Sequence, residues 1–311
     1  MSESDISSLT DQLYKAMKGS RDDDTLINIT VQNPLNIRLK IRDKYISLYG
    51  KDLLEEFNSK LSSDFKDLMI GLYKSIYEFD ADECRTAMKG IGTDEDTLIE
   101  IIGTRPNWYL KKVKETFKKK YNEELEKDVI DDTSGDFQKL LVSLLQCNRS
   151  ENKNPDIEKC KEMARDLFKG DKEKDEIGLD KDKIIKYFGL SSPCELMHLA
   201  REFDREYGKS IIKVIENEYS GDLRQLIITI FYANISPSEY FATRIRKSVE
   251  GVGTNEKILN RVVITRYAVD MDIIKEYYNI LFSINLVDDV KGDTSGDYQK
   301  LLLALINKKS I

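Results

Sequence analysis

The segment DTSGDFQKLLVSLL, beginning at Asp132, returns 161 residues later as DTSGDYQKLLLALI at Asp293. The same offset carries GIGTDEDTL, from Gly90, onto GVGTNEKIL, from Gly251, and Arg105 onto Arg266. Self-similarity at a fixed spacing means an array of like units, each too small to bury its own apolar face alone. For a chain of 311 residues this excludes most single-core folds.

Two weaker copies follow from the apolar pattern. Phe137, Leu140, Leu141, Leu144 and Leu145 fall at i, i+3, i+4, i+7 and i+8, one stripe of an amphipathic helix. Tyr298, Leu301, Leu302, Leu305 and Ile306 repeat it, as do Leu223, Leu226, Ile227, Ile230 and Phe231. Phe65, Leu68, Met69, Leu72 and Tyr73 supply the fourth. The anchors lie 72, 86 and 75 residues apart, so the expected divisions are a tail at 1–8 and repeats at 9–76, 77–149, 150–235 and 236–311. The third begins with a polar connector, NRSENKNPD from Asn148.

Within a repeat the punctuation predicts several short helices. Thr93 is placed to cap one, with Asp96 at its third position, and Gly103 is placed to end it. Pro106 then opens the next; Pro34 and Pro193 sit at or beside the equivalent place, and Pro155 and Pro237 at repeat starts. A proline costs least where its missing N–H has no helical partner. No strand-like alternation competes, so the expected class is all-α.

The formal net charge of −7 sets an acidic molecule against nucleic acids and anionic membranes, unless a cation bridges them. No nucleic-acid partner is expected. Cys84, Cys147, Cys160 and Cys194 are scattered and His198 is the single histidine, which excludes a zinc cluster and reads as free thiols in a reducing compartment. The polar start MSESDISSLTDQ is no secretory signal, and LIITIFYANI at 226–235 is too short to span a bilayer. The expected location is cytoplasmic.

The chemistry lies in Met88-Lys89-Gly90-Ile91-Gly92-Thr93, with Asp132 standing 39 residues after the threonine; Gly251-Val252-Gly253-Thr254 and Asp293 repeat that spacing. Calcium takes six to eight oxygens, often mixing backbone carbonyls with a carboxylate. A glycine turn can aim carbonyls at one centre, a distant acid adds charge, and open positions remain for water or phosphate. A G-x-G-T string alone reads as a capping turn; the acid at a fixed distance, twice, changes that.

MKGIGTDEDTL, the following GTR-P and DTSGD-[FY]-QKLL closely resemble annexin repeats, and the resemblance covers nearly the whole chain. It implies four repeats of about five helices in a slightly curved disk, with Ca2+ in convex-face loops bridging to phosphatidylserine-like anionic phospholipids. Carried onto this sequence, it implies one site from the carbonyls of Met88, Gly90 and Gly92 with the Asp132 carboxylate. The other would use the carbonyls of Val249, Gly251 and Gly253 with Asp293. Ile91 and Val252, at the loop tips, would dip into the headgroup region, with local packing as the alternative.

Two repeats depart from the pattern. In the first, MKGSRDDDTL is one residue shorter, Arg21 and Asp22 intrude, and Lys60 holds the acid's position, so that site is expected to be lost. In the third, Gly178 and Glu218 match while Glu176 replaces the first glycine; a site there would use the carbonyls of Glu176 and Gly178 with Glu218. The run DKEKDEIGLDKD, 171–182, also admits an EF-hand reading. Glu176 stands where that loop wants glycine, so a solvated charge run is preferred.

Trp108 reads as core or repeat-interface packing, His198 as structural, and the lysine run at 111–120 as a solvated helix face. No nucleophile, acid–base and orienter set appears, nor a phosphate-cradling loop followed by Lys and Ser/Thr, so no enzyme is expected. Calcium-switched membrane binding is the leading reading. The alternative is a scaffold of the same fold working mainly on cytoskeletal filaments.

Overall fold

The fold was taken from a computed structural model, which describes residues 2–171 and 176–309. Among these residues the short amphipathic segments form twenty helices in four sets of five. The first set is α1 (Glu3–Ala16), α2 (Asp23–Gln32), α3 (Leu35–Tyr49), α4 (Leu53–Lys60) and α5 (Ser63–Leu72). The second is α6 (Ile76–Ala87), α7 (Glu95–Thr104), α8 (Asn107–Tyr121), α9 (Leu125–Asp132) and α10 (Gly135–Leu145). The third is α11 (Ile157–Leu167), α12 (Lys181–Leu190), α13 (Pro193–Tyr207), α14 (Ile211–Glu218) and α15 (Gly221–Ile235). The fourth is α16 (Pro237–Val249), α17 (Glu256–Arg266), α18 (Met271–Phe282), α19 (Leu286–Asp293) and α20 (Gly296–Ile306).

The chain divides into two compact units, one of residues 1–79 with 241–311 and one of residues 80–240. In the first unit α1 packs on α3, α2 on α20, and α5 on α17 and α20. In the second, α7 packs on α15, α11 on α13, and α10 on α12. The four apolar stripes supply these cores. Leu68, Met69, Leu140, Leu141, Leu226, Ile227, Leu301 and Leu302 are all fully buried. Each such side chain contributes about 1.5–3 kcal/mol on leaving water.

Proline positions agree with the helix starts. Pro34 and Pro106 are N-caps of α3 and α8, and Pro193 opens α13. The polar connector is strapped down rather than loose. Asn107 donates to the Arg149 carbonyl at 2.8 Å, the Ser150 N–H to Leu190 at 2.7 Å, and Ser192 to the Asn152 carbonyl at 2.8 Å. The buried Arg149 guanidinium donates to the Ser191 carbonyl, and burial lowers its pKa to about 10.

The all-α expectation holds; beside the helices, the third set contains one two-stranded antiparallel hairpin among the described residues, β1 (Phe168–Asp171) and β2 (Glu176–Leu179), with Phe168 opposite Leu179. Three expectations need correction. Trp108 is 58% exposed, because Tyr109, the next residue of α8, turns inward instead. Thr93 does not cap α7; the cap is Asp94, whose carboxylate accepts from the Thr97 N–H. Gly103 does not end α7 but lies buried inside it, against Leu226 and Thr229 of α15.

Candidate calcium sites

Each five-helix set joins its first and second helices by a loop, and the four loops close alike. The N-cap of the second helix returns its own N–H to the end of the first. Asp22 donates to Ala16 at 2.9 Å, Asp94 to Ala87 at 2.8 Å, Asp180 to Leu167 at 2.8 Å and Asn255 to Ser248 at 2.7 Å. The residue just before each cap then reaches a partner 39 positions later, at the end of the fourth helix. This recurring tie is what brings a distant side chain to each loop.

In the second set the tie is Thr93 Oγ1 donating to Asp132 Oδ2 at 2.7 Å. In the fourth it is Thr254 Oγ1 to Asp293 Oδ2 at 2.6 Å. Both carboxylates are half-buried at the mouth of a glycine turn. Gly90 and Gly92 have φ of 117° and 84°, and Gly251 and Gly253 have 106° and 83°, values that side-chain-bearing residues rarely adopt. Ile91 and Val252, between the paired glycines, are fully exposed and pack on nothing. Among the described residues no three His, Cys, Asp or Glu side chains converge on one point. A hard cation at these loops would therefore rely on backbone carbonyls with a single acid.

The donor set fits calcium. It is all oxygen, the carboxylate is already turned to the loop, and the exposed glycines leave room for further ligands. The side chains that hold each carboxylate's turn were not visible as such in the sequence. Gln138 Nε2 donates to the carbonyls of Ile130 and Thr133, and Gln299 Nε2 to those of Lys291 and Thr294.

The other two loops differ. In the first set Arg21 donates to the Lys60 carbonyl at 2.8 Å, and the Lys60 ammonium donates to the Met17 carbonyl at 3.2 Å. Met17 is the counterpart of Met88, so an ammonium engages the carbonyl that would face an ion. In the third, Glu218 Oε2 accepts from the Leu179 N–H at 2.9 Å. A Cβ at Gly178 would stand 2.6 Å from Glu218 Oε1 and 2.7 Å from the backbone oxygen of Lys169, which cannot step aside, so glycine is required there. Glu176 and Gly178 lie in β2, opposite Asp171 and Lys169, and not in a positive-φ turn. Asp171 thus pairs with Glu176 as the hairpin's inner strand pair, Glu176–Leu179 form β2, and the run's last two residues begin α12; its third and fifth positions, 173 and 175, lie outside the described residues.

The family model for annexins matches residues 10–72, 79–144, 167–230 and 240–305, one match to each five-helix set. The chain belongs to the annexin family. It is 36% identical to annexin A4 of Mus musculus over 294 residues, covering 94% of this chain and 92% of that protein. Among solved structures it resembles annexin III, with a TM-score of 0.92 and 31% identity, over 98% of this chain and 94% of that one. It also resembles a calcium-bound annexin (Sm)1, with a TM-score of 0.84 and 28% identity, over 97% of this chain and 90% of that one. Annexins are calcium-dependent phospholipid-binding proteins, and family members are generally non-enzymatic. In this annexin no helix among the described residues is long and apolar enough to cross a membrane.

Proposed function

We propose that this annexin binds anionic, phosphatidylserine-like membranes through calcium held in repeats 2 and 4, and that it has no enzymatic activity. The observation that carries the reading is the pair of threonine–aspartate ties at 2.7 and 2.6 Å, which set one carboxylate against each glycine turn. The carbonyls of Met88, Gly90 and Gly92 would act with Asp132, and those of Val249, Gly251 and Gly253 with Asp293. Calcium, when bound, supplies positive charge and open coordination positions that phosphate oxygens can share. The exposed Ile91 and Val252 side chains would then enter the headgroup layer. Recruitment would be from the cytoplasm as calcium rises. Repeat 3, with its carbonyls in a strand, would bind more weakly through Glu176, Gly178 and Glu218. Repeat 1 would bind none, its Lys60 ammonium already engaging Met17.

Sedimentation with phosphatidylserine vesicles, with and without calcium, tests this. Asp132→Ala with Asp293→Ala should raise the calcium requirement by about tenfold or more. That variant moves the formal charge from −7 to −5, so bulk electrostatics alone would strengthen its binding to acidic vesicles. The two accounts therefore differ in sign. Undiminished, calcium-dependent binding by the double variant would refute the ligand assignment. Calcium-independent co-sedimentation with cytoskeletal filaments, beside weak vesicle binding, would favour the scaffold alternative.

A further inference from the structure

We infer that Gln138 and Gln299 are positioning residues of the two calcium sites, fixing from the neighbouring helix the turn that carries each carboxylate. The inference rests on the calcium reading above and adds residues that touch no ion.

The geometry is the same in both repeats. Asp132 and Asp293 end α9 and α19, where the last carbonyls have no intrahelical partner. Gln138 Nε2 donates to Ile130 at 2.7 Å and also to Thr133, so its two donated bonds bracket Asp132. Gln299 Nε2 donates to Lys291 at 2.8 Å and also to Thr294, bracketing Asp293. A primary amide has two protons to give, and both are used. Each glutamine sits on a helix anchored in the core, through Leu140 and Leu141 in one case and Leu301 and Leu302 in the other. The glutamine thus fixes the aspartate's backbone to the core while the threonine fixes its head. Little side-chain or backbone freedom then remains to be lost when an ion arrives.

The chain contains its own comparison. At the equivalent place repeat 3 has Arg224, which reaches the Glu216 carbonyl through one bond at 3.4 Å. Repeat 1 has Lys66, which pairs with Asp67 at 3.6 Å. The two-bond clamp accompanies the two loops that keep both glycines, the threonine and the acid.

The test is calcium titration calorimetry on the full chain, with thermal melting in chelator as the second measurement. Gln138→Leu with Gln299→Leu removes the donors and should weaken calcium binding by about tenfold. A purely structural role would lower the melting temperature in chelator and leave calcium affinity where it was. Gln138→Arg with Gln299→Arg, which imports the repeat 3 residue, should give a smaller loss and serves if the leucine variant fails to fold. The Asp132→Ala, Asp293→Ala protein is titrated alongside. Normal affinity in the glutamine variants, with affinity lost in the aspartate variant, overturns the positioning role alone. Normal affinity in the aspartate variant overturns the calcium assignment beneath it.

Discussion

The first residue of the fifth helix of each repeat separates what a residue tolerates from what it prefers. Gly135, Gly221 and Gly296 hold φ of 64°, 59° and 62° there, while repeat 1 places Ser63 at 49°. A side-chain-bearing residue in this left-handed region costs about 1–2 kcal/mol. Replacing it by glycine returns about 0.5–1 kcal/mol to the unfolded chain as entropy. Ser63→Gly should therefore stabilise the protein by about 0.5–1 kcal/mol, read as a higher denaturation midpoint in chelator; a lower midpoint would count against the strain argument. At this scale the sequence was only partly legible. The spacing of 39 residues pointed to Asp132 and Asp293, because a covalent distance survives folding. It did not reveal that Thr93 spends its hydroxyl on that carboxylate rather than on a helix cap. Both uses want the same residue type, and only the fold decides between them.

Elements were legible where a periodic pattern was long enough to show. All four apolar stripes became helix faces buried at most positions, with Phe137, Leu223 and Phe231 part-exposed, and the lysine run on α8 proved to be an outer face carrying pairs such as Lys118–Glu124 at 2.5 Å, over the fully buried Val113 and Phe117. The hairpin was not legible, since strands of four residues rich in charge carry too little alternation to stand out. Gly103 misled for a different reason: a glycine near a helix end signals a stop as readily as a close contact. Here the contact rules. A Cβ at Gly103 would lie 3.1 Å from Thr229 Cγ2 and 3.2 Å from Leu226 Cδ1, so the missing side chain lets α7 approach α15. Gly189 serves α12 in the same way, against Ser143 of α10. Gly103→Ala sets a helix-propensity gain of about 1 kcal/mol against crowding of similar size and should be nearly neutral. Gly103→Val has no such compensation and should cost about 1–3 kcal/mol in chemical denaturation. A valine variant as stable as the parent would mean that α7 and α15 do not depend on this approach.

For the whole molecule, net charge alone acts in mild acid, whereas in strong acid net charge and specific pairing act in the same direction. The chain carries 56 acidic and 49 basic side chains, and its calculated isoelectric point is near 5.2. Between neutral pH and that point the net charge shrinks, self-repulsion falls, and stability in chelator should hold or rise slightly. Specific pairing acts lower. The Lys139 and Lys181 ammonium groups hold the Asp136 carboxyl below the ordinary carboxylate range, and Lys183 with Tyr187 does the same for Asp166. Glu56, raised by burial, is brought below its ordinary value by Lys60 and Lys51. A carboxylate with a lowered folded pKa stabilises the fold above its unfolded value, about 4, and that contribution disappears as pH falls through the folded value. Asp128 and Asp204, raised chiefly by burial, act in the opposite sense but are fewer among the described residues. Below about pH 4 the ion pairs are lost while positive charge accumulates, so both effects destabilise together. The melting temperature in chelator should therefore be broadly flat from pH 7 to 5 and fall steeply below about pH 4. A melting temperature that kept rising to pH 3.5, well below the isoelectric point, would refute both the charge argument and the pairing argument for the acid limb.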